Sequence, residues 1–296
     1  MNIVKIKGET YYIKDATNVG VYVFTDSKCL LIDTCFTRGQ ARKIDITLKK
    51  NNIYLKYIIN THTHLDHCRG NLYFQKNYPQ CKVYASEPEK PFMENPYLLA
   101  ALFYSASPLK ALNRSPRSFP VDYYLKTGIQ KVGEQKFEII PLYGHTRGQI
   151  GVITPDRVCF LGDSIFSIHT LEKYCLPYIY DIGESIKTMH SLLEIDADYF
   201  VISHDEDVLT RETLPYLVKR NLANIEKFQL QILELLKQPL TREDLVEHLT
   251  TNNDLVLNLM EYHIIFSTVS AFLKYLVDEE LITYHVHTSR LLFQSV

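Results

Sequence analysis

The 296-residue chain predicts a layered α/β domain followed by a small, mainly helical C-terminal unit. Two observations carry this. Up to about residue 210, short β-branched or apolar runs alternate with helix-like segments, the pattern of sheets covered by helices. Beyond Thr210, long amphipathic stretches take over and end in two short strands. The boundaries are therefore set at 1–210, with a helical insertion at 86–128, and at 211–296.

The first unit opens with strands at Ile3–Ile6, Tyr11–Ile13, Val19–Phe24 and Cys29–Ile32, separated by Gly8, residues 15–18 and Asp26-Ser27. Thr37–Lys49 reads as a helix with Ile44 and Leu48 on one face. A buried strand at Leu55–Ile59, a helix near Leu72–Lys76 ending before Pro79, and a strand at Lys82–Ala85 follow. Residues 86–128 carry six prolines around an apolar helical segment, Tyr97–Tyr104. Tyr97, Tyr104, Lys110, Arg114 and Arg117 are candidates there for a substrate wall with a small anion clamp, and solvated surface packing is the plain alternative. Strands return at Lys136–Ile140, Gln149–Thr154, Arg157–Leu161 and Tyr199–Ile202.

The chemistry concentrates at strand ends. Thr61-His62-Thr63-His64-Leu65-Asp66-His67 follows one of them. On an extended segment His62 and His64 point the same way and can hold one ion, while Asp66 and His67 lie where the chain must turn and can face a second. Imidazole with carboxylate suits zinc, iron or manganese. Three more strand ends deliver Gly144-His145-Thr146, Gly162-Asp163 and Ser203-His204. Cys68 adjoins the first cluster and is read as a small buried filler rather than a ligand. His169, six residues past Asp163, is a candidate to reach the cleft.

The formal net charge of −2 gives no global basic field, which disfavours a duplex nucleic-acid binder. The six cysteines form no Cys-x-x-Cys pair, the N-terminus lacks a signal-peptide core, and no apolar run has membrane-span length. A cytoplasmic protein with reduced thiols and no membrane attachment is expected.

Together, His62-Thr63-His64-Leu65-Asp66-His67, Gly144-His145-Thr146, Gly162-Asp163, Ser203-His204 and the preceding Leu31-Ile32-Asp33-Thr34 resemble the metallo-β-lactamase-fold hydrolase superfamily, over about residues 3–210. The resemblance implies an α+β fold, a four-layer αβ/βα sandwich with its metal site at one edge. It implies two divalent metal ions, zinc first and iron or manganese as alternatives, held by His62, His64 and His145 and by Asp66, His67 and His204. Asp163 would bridge them, and a metal-bridging hydroxide would be the nucleophile, with Asp66 counted among the catalytic residues. Arg69 departs from many relatives; it either adds charge beside the site or points to solvent.

The C-terminal unit reads as helices at Leu214–Lys237, from Thr241 (with Asp244 as a capping-box partner) and at Leu255–Val277, then a hairpin of Ile282–Val286 and Leu291–Gln294. That order is winged-helix-like, resembling tails of the β-lactamase-like-protein-2 group of endoribonucleases. Glu261, Asp278, Glu279 and Glu280 against a single Lys274 make its third helix poor for phosphate contact, so packing or a homodimer is expected rather than nucleic-acid binding. The leading expectation is a hydrolase for a small-molecule thioester, ester or lactone. A single-stranded RNA endonuclease or phosphodiesterase is the alternative, and a non-catalytic metal-binding regulator ranks last.

Overall fold

The computed structural model describes residues 1–113, 117–205 and 207–296. The chain runs through β1 (Ile3–Lys7), β2 (Thr10–Ile13), β3 (Val19–Val23), β4 (Lys28–Ile32), α1 (Arg38–Lys50), β5 (Tyr54–Ile59), α2 (Leu65–Cys68), α3 (Asn71–Asn77), β6 (Lys82–Ser86), α4 (Lys90–Glu94), α5 (Tyr97–Tyr104) and β7 (Tyr123–Leu125). It continues through β8 (Gly128–Val132), β9 (Gln135–Pro141), β10 (Ile150–Ile153), β11 (Val158–Phe160), α6 (Ile168–Tyr174), α7 (Ile182–Ser191), β12 (Tyr199–Val201) and β13 (Leu209–Thr210). The C-terminal elements are α8 (Leu214–Leu235), α9 (Arg242–Asn252), α10 (Leu259–Asp278), β14 (Ile282–His287) and β15 (Arg290–Ser295).

Two sheets face each other. One is ordered β1 to β7 in sequence, antiparallel as far as β4 and parallel from β4 to β7. The other is ordered β13-β12-β11-β10-β9-β8, with β11 and β12 parallel. β4 shows why the sheets are buried on both faces. Its residues alternate with period two, so Leu30 and Ile32 enter the layer between the sheets while Cys29 and Leu31 face α1 and α3. Phe137, Ile139, Val152 and Phe160 of the second sheet fill the same middle layer. The outer face of the second sheet is covered by α6 to α10, in a continuous apolar core that runs from Leu142 to Ile282. The layers are therefore helix, sheet, sheet, helix, as expected.

The C-terminal helices share that core. Asn221 of α8 is buried, and its side chain both accepts from Phe166 N and donates to Phe166 O. Thr241 and Asp244 form a reciprocal capping box at α9, and Leu240 bridges Phe293 beside the β14–β15 hairpin. The third helix starts later than the apolar pattern suggests, at Leu259. Asn258 caps it, because its side chain accepts from the N–H groups of Met260 and Glu261. The six cysteines are unpaired, and no helix among the described residues is long and apolar enough to cross a membrane.

One buried carboxylate ties α1 to the helix that follows the histidine loop. Asp45 accepts from Tyr73 Oη at 2.9 Å, from Tyr78 Oη, and from Lys49 Nζ at 2.9 Å. Burial opposes its ionisation, but the hydrogen bonds from Tyr78, Lys49 and Tyr73 outweigh this and lower its pKa. Asp45→Asn is expected to lose about 1–3 kcal/mol, measured by urea denaturation at pH 7. Because the folded pKa is depressed, the wild-type advantage is present above the unfolded value near ~4 and is lost as pH falls through the folded one. An advantage that persists unchanged at pH 2 would show that the charge is not its source.

Candidate metal centre

All the candidate ligands come from strand ends at one edge of the sandwich. β4 ends at Asp33, β5 at the Thr61–His67 loop, the β9–β10 turn at His145, β11 at Asp163 and β12 at His204. His64 is extended (φ −61°, ψ 144°) and stands immediately before the short helix α2. This change from extended to helical backbone separates His62 and His64 from Asp66 and His67. The loop is pinned where it turns: the His67 carbonyl accepts from Thr34 N at 2.8 Å and Asn60 Nδ2 at 2.9 Å.

Two groups of donors result. His62 Nε2 lies 3.1 Å from His64 Nδ1, which lies 2.8 Å from His145 Nε2. On the other side, His204 Nε2 is 3.3 Å from both Asp66 Oδ2 and Asp163 Oδ2, and His67 Nε2 is 3.3 Å from Asp163 Oδ1 and 3.5 Å from Asp66 Oδ2. Asp163 thus stands between the groups, with Oδ2 also 3.6 Å from His145 Nε2.

The far ring nitrogens explain the orientation. His67 Nδ1 donates to Asp33 Oδ2 at 2.8 Å, His145 Nδ1 to the Tyr178 carbonyl at 3.0 Å, and His204 Nδ1 to the Ala16 carbonyl at 2.7 Å. His62 Nδ1 lies 3.1 Å from Thr61 Oγ1, which itself donates to Asp33 at 2.7 Å. These bonds fix each ring so that its other nitrogen points at the centre, where a cation can take the place of a proton. His64 is the exception: its Nε2 is buried without a partner, and its ring is held edge-on by His62, His145 and Tyr178.

Divalent metal ions fit this donor set. His67 Nε2 and Asp163 Oδ1 are buried 3.3 Å apart without well-formed hydrogen-bond geometry, and a cation between them would give both a partner. The ligand atoms of His62, His64 and His145, and those of Asp66, His67 and His204, each lie within 4.8 Å of one another. The electrostatics of the two groups differ. Burial holds the first neutral, pushing His62 and His145 down and His64 to about 3. Burial also penalises charge on His67 and His204, but Asp163 and Asp66, joined at His67 by Asp33, outweigh it and raise both, His204 to about 10. Asp66 and Asp163 are lowered in turn, against their own burial, by His67 and His204.

Glu89 has no counterpart in the sequence reading. This carboxylate, 1% exposed, accepts from Thr63 N at 2.8 Å, Thr146 Oγ1 at 2.7 Å and Gly148 N at 2.9 Å. It therefore ties the His62–His67 loop of one sheet to the His145 loop of the other. Burial raises its pKa against these three hydrogen bonds. Nothing in the sequence separates Glu89 from Glu87 or Glu94. Gly144 serves the same loop: its φ is +124°, and a Cβ there would lie 2.5 Å from the Ser185 backbone.

A cleft of about 1050 Å³ opens on Asp66 and His204. His169 lines it, as the sequence suggested. Tyr97 and Tyr104 do not: Tyr97 Oη donates to Ser107 Oγ at 2.9 Å, and the Tyr104 ring packs on His263 of α10. The apolar wall is instead made by Phe166, Leu176, Leu257, Ile264 and Ile265, the last three from the C-terminal segment. Lys110 is exposed away from the cleft, Arg117 lines a neighbouring cavity, and Arg114 lies outside the described residues. Cys68 is fully buried, with Sγ 3.3 Å from the Thr63 carbonyl, and belongs to neither donor group.

Comparison with known proteins agrees with this geometry. Two curated relatives are hydroxyacylglutathione hydrolases: one from Vibrio vulnificus, 27% identical over 49% of this chain and 46% of its own length, and one from Buchnera aphidicola, 30% identical over the same shares. The chain thus spans about half the length of the curated relatives it matches. A metallo-beta-lactamase family protein from Thermus thermophilus superposes with a TM-score of 0.72 at 17% identity, over 99% of this chain and 97% of its own. A beta-lactamase domain protein from Burkholderia ambifaria gives 0.76 at 13%, over 99% and 93%. The family model for the metallo-beta-lactamase superfamily matches residues 13–204, well over half of the chain and every strand end that carries a donor, and the chain belongs to that superfamily.

Proposed function

We propose that the protein is a metal-dependent hydrolase with two divalent metal ions, acting on a thioester, ester or lactone that has an apolar group near the scissile bond. The observation that carries this is the convergence of four imidazole nitrogens, each backed by a bond at the far nitrogen, on the two carboxylates Asp66 and Asp163. In this reading His62, His64 and His145 hold one ion, Asp66, His67 and His204 hold the other, and Asp163 is shared. Zinc, iron or manganese bound there would supply a hydroxide nucleophile near neutral pH and polarise the electrophilic oxygen.

The chain's own groups do the remaining work. Asp66 is 36% exposed and lines the cleft, where its carboxylate, kept ionised by His67 and His204, can accept a hydrogen bond from water or substrate. Tyr178 packs edge-on against His64 and His145 and closes that flank. The wall of Phe166, Leu176, Leu257, Ile264 and Ile265 excludes water and favours an apolar acyl group. The curated relatives' name denotes hydrolysis of hydroxyacylglutathione, which supports acyl chemistry here.

Residues 211–296 are read as a unit in winged-helix order that serves as a substrate wall. α10 occupies the position of a recognition helix, yet Ile264 and Ile265 face the cleft, and Val269, Phe272 and Leu276 are in the core. A helix so placed is not free to enter a duplex groove, which weighs against duplex nucleic-acid binding by this unit.

Asp66→Ala and His145→Ala are expected to cut turnover of a thioester panel more than ~100-fold and to lower metal content, with unchanged far-UV circular dichroism. Full turnover in both would remove the site assignment. Chelation should abolish turnover, and adding back zinc, iron or manganese singly identifies the working metal. Glu89→Gln is expected to weaken metal affinity by about 10–100-fold, read by competition with a chromophoric chelator. Wild-type affinity in that variant would show that the tie between the loops does not set the site.

A further inference from the structure

A second cavity, of about 410 Å³, lies beside the metal loop and shares Phe36 with the cleft. Four cations line it: Arg38, Arg69, Lys76 and Arg117. They arrive from separate places. Arg38 is the first residue of α1, Arg69 follows His67 by two positions, Lys76 is in α3, and Arg117 comes from the segment after α5. The Arg69 guanidinium is held over the Phe36 ring, 5.1 Å from its centroid, on the boundary between the two cavities.

No carboxylate among the described residues lines this cavity. Among the described residues, none of the four cations forms an ion pair, whereas Lys7, Lys28, Lys82, Arg157 and Lys274 all do. Asp45, bonded to the lining Tyr73, is buried and already committed to Tyr73, Tyr78 and Lys49. The N-terminal end of α1 adds to the positive potential, since its first turn has no acidic residue. In a chain of net charge −2, these four cations, three of them exposed at the rim, make a local positive site with no carboxylate to balance it among the described residues. Three guanidinium forks and an ammonium match the oxygens of a phosphoryl group.

We propose that this cavity is a phosphoryl subsite, and that the substrate is an acyl thioester or ester whose leaving group carries a phosphate. The acyl group would lie against the apolar wall and the phosphate would pass Phe36 to the four cations. Water adds across the scissile bond, its hydroxyl going to the acyl carbon and its proton to the departing thiolate or alkoxide. The choice of substrate rests on the hydrolase assignment above; the anion site does not.

The test uses metal-loaded full-length protein and two probes. The first is a matched substrate pair, a short acyl thioester of coenzyme A and the same thioester of unphosphorylated pantetheine. The wild type is expected to favour the phosphorylated member at least tenfold in kcat/KM, and Arg38→Ala/Arg117→Ala should reduce that ratio by at least tenfold. A wild-type ratio near one, or a ratio unchanged in the variant, overturns the proposal. The second probe is calorimetric titration with adenosine 3′,5′-bisphosphate. Affinity at least tenfold weaker in the double variant supports the subsite, and equal affinity places the anion elsewhere and overturns it. Hydrolysis of neither thioester counts against the acyl assignment and its substrate class alone, and the titration still decides the cavity.

Discussion

The Asp33 carboxylate is the contact on which the centre depends. It is buried at the end of β4 with φ +61°, a conformation aspartate tolerates better than most residues. From there it accepts from Thr61 N and Oγ1 and from His67 Nδ1, at 2.7 to 2.8 Å. Through Thr61 it also orients His62. One carboxylate therefore positions a histidine in each donor group. A buried charge is tolerable only when its bonds are met, so these contacts fix the loop as strongly as the loop fixes them.

Glu89 applies the same physics across the sandwich. Asp33 joins strand ends within one sheet, whereas Glu89 joins the first sheet's histidine loop to the second sheet's. Glu89 adds to direct bonds between the same segments, from Ile150 N to the Thr61 carbonyl at 3.0 Å and from Ser86 Oγ to the Gly148 carbonyl at 2.6 Å. Together these buried contacts hold the two loops in register. The C-terminal helices add rigidity on the open side. Because α8 and α10 share the core of the second sheet, the apolar wall of the cleft is continuous with that core.

The structural neighbours share nearly the full length of this fold at 13–17% identity. At that distance the common element is the layered scaffold with its appended helices. At the edge of this chain's sandwich stand Phe36 between the two cavities, Arg69 after the histidine loop, and the wall residues Leu257, Ile264 and Ile265.

Much of this could be read from the residues. Strand periodicity located β3, β4, β5 and β9 to within a residue or two, and the Thr241–Asp244 pair located the start of α9. These depend on contacts between near neighbours in the chain. Sequence alone also picked out the histidines and aspartates that the structure brings together, because such residues repeated at strand ends have few other uses. It missed α6 and α7, whose apolar positions mix with polar ones, and it assigned the cleft wall to Tyr97 and Tyr104. Only the tertiary structure decided that α10 turns its face to the cleft and that Arg117 joins Arg38, Arg69 and Lys76. It alone selected Glu89 from among similar glutamates. The physical reason is range: each of these roles is set by partners tens or hundreds of positions away, and no local pattern records which buried group a distant side chain will meet.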